Sequence, residues 1–144
     1  MSSDRLLERP VVPVASPDDA EATYNALVSH SDPTDCRPLV IHVIPDTEGY
    51  DSAEIDNRKQ RAHEAFERFE SRAVDDGMMV ETEICRGETI AETIIEVARD
   101  QEASAIVFCS RGGSAWFDLL AGGVRTSLLA KSDTPVVMLP NDSE

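Results

Sequence analysis

The sequence has few of the residues that build metal sites, disulfides or membrane spans. Three cysteines occur in 144 residues, far apart and without a C-x-x-C pair, so a zinc site is not expected. Cys85 and Cys109 lie in apolar, strand-like runs and are interpreted as small buried residues. No apolar run approaches the ~18 residues of a membrane span. The N-terminal stretch MSSDRLLERP is charged and has no apolar segment like that of a signal peptide. These absences predict a cytoplasmic protein.

Positive charge is also scarce. The chain has 13 Lys and Arg residues against 28 Asp and Glu residues, a net charge of −15. The negative electrostatic potential of such a chain repels nucleic acid and anionic membrane surfaces, so neither is an expected partner. The acidic residues are dispersed, which suits a cytosol of molar salt because strong screening tolerates the self-repulsion. The composition therefore favours a halophilic source, such as a halophilic archaeon; the alternative is a mesophilic protein that is merely acidic.

Recognisable catalytic motifs are missing. The three histidines lie at a helix end, in an apolar strand and on a charged helix, which favours structural or solvated roles for His30, His42 and His63. There is no G-x-S-x-G elbow, and no lysine follows the paired glycines at Walker A spacing. The sequence therefore predicts no enzyme.

Five apolar, strand-like runs alternate with four helical segments. The strands are expected at 10–15, 38–44, 78–85, 103–109 and 133–140, and the helices at 17–30, 52–76, after Gly87 and at 122–131. This alternation predicts parallel pairing with helices on both faces of the sheet. We therefore expect one doubly wound α/β domain over residues 1–144, with the second strand buried on both faces.

The richest candidate for a ligand site is the segment CSRGGSAWFDLLAGG, residues 109–123. In doubly wound sheets, ligands bind beyond the carboxyl ends of the strands where the strand order reverses. Glycines let a ligand approach the backbone, and the helix expected near Gly122 would present free N–H groups to an anion. Arg111 would add a guanidinium. The segment is equally a crossover loop that needs glycine for its turns, and spacing leaves both interpretations open.

The order of these features resembles the universal stress protein family. A strand, S-x-G, a short apolar segment, G-x-V, a helix and then TPVVML follow one another, and RGETIAETIIEVARDQEASAIV resembles the third helix and fourth strand of that family. The resemblance implies strand order 3-2-1-4-5 and a dimer in which the last strand pairs with its copy. Some branches of the family bind ATP in the crevice where the order reverses.

The family motif G-x-x-G, nine residues, G-(S/T) falls on Cys109, Gly112, Gly122 and Gly123. Cysteine thus replaces the first glycine, where its side chain would project toward the ligand, and glycine replaces the hydroxyl residue. Ala15 stands where an aspartate would meet the adenine.

The resemblance implies a cytoplasmic stress-response protein with a degenerate ATP-binding loop and weak or altered binding of ATP, with Mg. The alternative is a dimeric protein-interaction or regulatory module that binds no nucleotide. The implied nucleotide-site residues are Ala15, Ser110, Arg111, Gly112, Gly113, Gly122, Gly123 and Val124. The implied dimer strand contains Pro135, Val136, Val137, Met138 and Leu139.

Overall fold

The computed structural model describes residues 6–109 and 124–140. Within these residues, five strands alternate with four α-helices, as the sequence predicts. The strands are β1 (Pro10–Pro13), β2 (Leu39–Pro45), β3 (Glu81–Gly87), β4 (Ala105–Cys109) and β5 (Val136–Leu139). The helices are α1 (Pro17–Ser29), α2 (Ser52–Asp76), α3 (Ile90–Asp100) and α4 (Arg125–Lys131).

The strands form one parallel sheet in the order β3-β2-β1-β4-β5. Val11 lies at the centre, paired with Leu39 of β2 on one side and with Ile106 of β4 on the other. The chain thus first winds outward through β2 and β3, then crosses back to β4 and β5. The predicted order is confirmed, and the reversal point lies between β1 and β4.

Each face of the sheet carries its own apolar cluster. One cluster lies under α1 and α2; its largest members are Tyr24, Phe66 and Phe69. The other lies under α3 and α4 and includes Ile94 and Leu128. Every residue of β2 is buried, because alternate side chains enter the two clusters. The predicted burial of β2 on both faces is confirmed.

The helix starts follow from their capping residues. Ser16 caps α1 by accepting a hydrogen bond from the N–H of Asp19 at 3.2 Å, and Pro17 is the first helical residue. Asp51 and Glu54 form a reciprocal capping box at the start of α2. Gly77, with φ of 79°, ends α2 in the left-handed conformation that glycine adopts without strain.

The strand boundaries differ from the prediction at β3. The expected strand 78–85 is displaced to Glu81–Gly87. Met78 is buried, and its N–H donates to the carbonyl of Ala73, so it still belongs to the turn that ends α2. Ladder pairing begins only where Glu81 comes opposite Leu39, the first residue of β2.

We expect Tyr24→Phe to lower the free energy of unfolding by about 1 kcal/mol, because one intramolecular hydrogen-bonding group is lost. The Tyr24 hydroxyl donates to the Asp76 carboxylate and lies 3.3 Å from the carbonyl oxygen of Arg72, which ties α1 to the end of α2. Its ring packs edge-on against Phe69 and is retained in the variant. Urea denaturation measures the change.

Tyr50→Phe is the matched control for this prediction, since the Tyr50 hydroxyl forms no hydrogen bond within residues 6–109 and 124–140. An equal loss of stability in both variants would contradict the assignment of the effect to the bond between α1 and α2.

Candidate functional site

Two residues predicted for the nucleotide site lie at the carboxyl edge of the sheet, at its reversal point. Ala15 follows β1, and Val124 immediately precedes α4. Both are half-buried and pack against the apolar cluster under α3 and α4. Although 109 positions separate them in sequence, the fold brings both to the side of the sheet where doubly wound proteins bind ligands.

The other predicted residues of the nucleotide site are Ser110, Arg111, Gly112, Gly113, Gly122 and Gly123, and they lie outside the described residues. Cys109, the last residue of β4, is described. Its side chain is 3% exposed and belongs to the apolar cluster under α1 and α2. The expectation that this side chain projects toward a ligand is therefore wrong, because β4 directs it into the core.

The backbone between β1 and α1 is fixed by three hydrogen bonds. The N–H of Val14 donates to the carbonyl of Ile41 at 2.9 Å, and Nδ1 of His42 lies 2.8 Å from the carbonyl oxygen of Val14. The N–H of Ala15 donates to Oδ2 of Asp19 at 2.7 Å. The turn that borders the crevice is thus anchored both to β2 and to the first turn of α1.

Asp19 is a fully buried carboxylate at this turn. Burial raises its pKa to about 7, against the opposing effects of the Ala15 N–H and the neighbouring Thr23 hydroxyl. Within the described residues, neither Oδ1 of Asp19 nor Oγ1 of Thr23 has a hydrogen-bond partner of normal geometry. Asp19 therefore changes charge near neutral pH, one hydrogen bond away from position 15.

The role of Asp19 is not evident from its type alone, because Asp18 beside it is equally acidic and 94% exposed. The sequence feature that could identify Asp19 is its spacing from Ser16. A carboxylate three residues after a serine N-cap is placed to accept hydrogen bonds from the backbone N–H groups before the helix.

His42 lies in the middle of β2, beside the turn that follows β1. Burial, and then the charges of Arg58 and Arg61, lower its pKa, although its contact with Val14 favours the charged form. Since a carbonyl only accepts, the ring donates to Val14 through Nδ1. The predicted structural role of His42 is consistent with this bond.

A small cavity opens beside Ala15. Its volume is about 30 Å³, and its lining includes Ala15, His42, Val43, Ile90 and Ile94. This is room for about one water molecule. A purine base is larger, so it enters this cavity only if the walls separate.

Within residues 6–109 and 124–140, no group of three His, Cys, Asp or Glu side chains is arranged to hold a metal ion. No helix in the same ranges is long and apolar enough to cross a bilayer.

The family model for universal stress proteins matches residues 8–140. The chain belongs to the universal stress protein family. A search of curated proteins found no significant match. The family assignment therefore rests on the family model together with the fold.

Solved structures show the same fold over nearly the whole length of this universal stress protein. The hypothetical protein MJ0577 is 20% identical, with 96% of this chain and 99% of that chain covered and a TM-score of 0.75. A universal stress protein from Archaeoglobus fulgidus in complex with dAMP is 20% identical, with coverage of 92% and 98% and a TM-score of 0.65. A universal stress protein in complex with cAMP is 17% identical, with coverage of 92% and 98% and a TM-score of 0.59. At these low identities, the structural likeness shows the fold alone. The last two of these structures are complexes with nucleotides, dAMP and cAMP.

Proposed function

We propose that this universal stress protein is a cytoplasmic, homodimeric, non-catalytic stress-response protein that binds a nucleotide such as ATP weakly, with Mg, at the carboxyl edge of its sheet. The observation that carries the proposal is the placement of Ala15 and Val124 at the reversal point of the strand order. Two relatives of the same fold bind dAMP and cAMP.

Two features of the edge support weak rather than tight binding. Ala15 has no side chain able to hydrogen-bond a base, and its N–H is already occupied by Asp19. Among the described residues, the cavity beside Ala15 has a volume of about 30 Å³, which is too small to enclose a base. Loss of one hydrogen bond to a charged group costs about 1.5–3 kcal/mol, or roughly one to two orders of magnitude in affinity.

Calorimetric titration with Mg-ATP tests the proposal. We expect a dissociation constant in the millimolar range, measured in concentrated salt because the chain is strongly acidic. Absence of heat at millimolar nucleotide would contradict nucleotide binding. A submicromolar constant would contradict the weakening assigned to Ala15 and the small cavity.

Two variants, measured by the same titration, test whether position 15 contacts the nucleotide. Ala15→Asp alone places a second carboxylate beside Asp19, so like-charge repulsion opposes any gain. Ala15→Asp combined with Asp19→Asn retains an acceptor for the backbone N–H and leaves one carboxylate at position 15. We expect the double variant to bind ATP about tenfold more tightly than wild type. Equal affinities for ATP in wild type, the single variant and the double variant would show that the turn around Ala15 and Asp19 does not contact the ligand.

The two edges of the sheet differ in a way that supports the dimer. Edge strand β3 carries exposed Glu81 and exposed Glu83, charges that oppose pairing with another strand. Edge strand β5 has the sequence VVML, with Val136 and Val137 half-buried and Met138 41% exposed. An uncharged apolar edge favours pairing with its own copy by two-fold symmetry.

A dimeric interaction module without nucleotide is the second candidate, favoured by the missing carboxylate at Ala15 and the small cavity. The nucleotide content of heat-released extracts of the purified protein distinguishes between the two candidate functions. Bound nucleotide in the extract favours the first function; a nucleotide-free extract together with a silent titration favours the second.

A further inference from the structure

Asp19 is a buried carboxylate next to the turn that borders the proposed nucleotide site. Its exposed fraction is 0%, whereas the side chain of Asp18, one residue earlier, is 94% exposed. Aspartate is rarely buried to this extent without a cation beside it. Among the described residues, Asp19 forms no ion pair, and its stabilising contacts are with the Ala15 N–H and the Thr23 hydroxyl. The charge of Asp19 is therefore sensitive to any further change in its surroundings.

The hydrogen bonds around Asp19 suit both of its protonation states. Oδ2 accepts from the Ala15 N–H at 2.7 Å, which favours the carboxylate. Within the described ranges, Oδ1 of Asp19 and Oγ1 of the neighbouring Thr23 each lack a partner of normal geometry. A proton on Oδ1 would supply a donor beside an oxygen that is able to accept it. The site can thus hold either the carboxylate or the carboxylic acid.

The charged and titratable groups on the elements around Asp19 have other partners or environments. On the outer side of α1, Glu21 pairs with Arg68 of α2 at 2.8 Å and with Arg72 at 2.9 Å. On β2, His42 bonds to a backbone carbonyl of the turn. On β4, the Cys109 side chain lies in the apolar cluster under α1 and α2. Burial is the largest influence on the pKa of Asp19 and brings it to about 7.

A nucleotide at the carboxyl edge would shift this balance toward the protonated form. A base beside Ala15 excludes water from the turn, and its ring nitrogens compete with Asp19 for the Ala15 N–H. The negative charge of the phosphates acts in the same direction. Loss of water, loss of a donor and added negative charge all disfavour a carboxylate. Because Asp19 is close to half-protonated at neutral pH, a small shift changes its charge.

We propose that Asp19 is a positioning residue that couples nucleotide binding to proton uptake, so that the affinity for nucleotide rises as the pH falls from 8.5 to 6. The proton comes from the solvent and adds to Asp19 when the nucleotide binds. By reciprocity, protonated Asp19 favours the nucleotide to the same extent. The inference rests on the proposed function for the identity and location of the ligand, and it makes the proton a second ligand of the same site.

Calorimetric titration with Mg-ATP in two buffers of different ionisation enthalpy tests the coupling, because it measures the protons taken up per bound nucleotide. The phosphates of Mg-ATP stay ionised from pH 6 to pH 8.5 and do not contribute. If binding raises the pKa of Asp19 by about one unit, wild type takes up about half a proton at pH 7.5 and about 0.1 at pH 6. We expect its affinity to be roughly five- to tenfold higher at pH 6 than at pH 8.5.

Asp19→Asn and Asp18→Asn are the variant and its matched control. Asparagine at position 19 keeps an acceptor for the Ala15 N–H and cannot titrate. We expect this variant to take up no proton and to bind Mg-ATP with the same affinity, within about twofold, at both pH values. Asp18→Asn removes a charge from the same helical turn and should retain the wild-type uptake. His42 is present in all three proteins, so its contribution cancels, and circular dichroism verifies folding.

The outcomes separate the inference from the proposed function. Equal proton uptake in wild type and Asp19→Asn, or proton release by wild type, would overturn the coupling and leave nucleotide binding standing. Loss of uptake in Asp18→Asn as well would assign the effect to the charge of the turn and would also overturn it. Absence of binding in all three proteins from pH 6 to pH 8.5 would contradict the proposed function, and the coupling would fail with it.

Discussion

Asp19→Asn is expected to stabilise the protein at pH 8, with a gain that diminishes as the pH falls toward 4. In the folded protein, burial raises the pKa of Asp19 to about 7 from an ordinary value of 3.8. The folded state therefore binds a proton that the unfolded state has already released between these two values. Wild-type stability falls as the pH rises through this window. Asparagine keeps an oxygen acceptor for the Ala15 N–H and carries no charge.

The size of the effect follows from the shift in pKa. One pKa unit corresponds to about 1.4 kcal/mol, so the difference in unfolding free energy between variant and wild type grows by on the order of 4 kcal/mol from pH 4 to pH 8. Other groups titrate in the same range, including His42, whose lowered pKa makes it destabilising as the pH falls below about 6.5. Their contributions cancel in the difference between the two proteins.

Urea denaturation of both proteins at intervals between pH 4 and pH 8 measures this difference. Asp18→Asn is the control, because Asp18 is 94% exposed and in the same helical turn; its effect should stay below about 1 kcal/mol at every pH. A constant difference between Asp19→Asn and wild type across the range would show that Asp19 does not titrate as its burial implies.

Val137→Glu is expected to convert a dimer into a monomer. Val137 lies in the middle of β5, an outer strand that pairs on one side with β4 through Val107. If the free side of β5 pairs with its copy, two-fold symmetry places the two glutamates close together in the interface. Desolvation and like-charge repulsion should then raise the dissociation constant by about two orders of magnitude or more.

Sedimentation velocity measures this change, and Val74→Glu is the control. Val74 is on α2, is 76% exposed and lies away from β5, so the same substitution there should leave the sedimentation coefficient unchanged. An unchanged coefficient for Val137→Glu would show that β5 is not the interface. A shift in both variants would point to charge or folding rather than to pairing of this edge.

The sequence predicts the fold well because the fold depends on local signals. Ser16 and Pro17 mark the start of α1, and Asp76-Gly77 marks the end of α2, so both helices begin and end close to the predicted positions. The unbroken apolar run of β2 reflects burial on both faces. The start of β3 is less predictable, because it is fixed by pairing with Leu39 rather than by the apolar residues Met78 and Met79.

The candidate site is predicted less completely, because its chemistry depends on how the helices are placed against the sheet. Asp18 and Asp19 are identical in type, and only the phase of α1 buries the second of them.

The location of nucleotide binding is the central claim, and backbone amide NMR during a titration with Mg-ATP tests it most directly. The account predicts progressive chemical-shift changes at Ala15 and Val124 on the carboxyl edge of the sheet. Arg9, Arg37 and Ser104, which line a cavity at the opposite edge, should not respond. Changes confined to those three residues, or no change anywhere at millimolar nucleotide, would contradict the account.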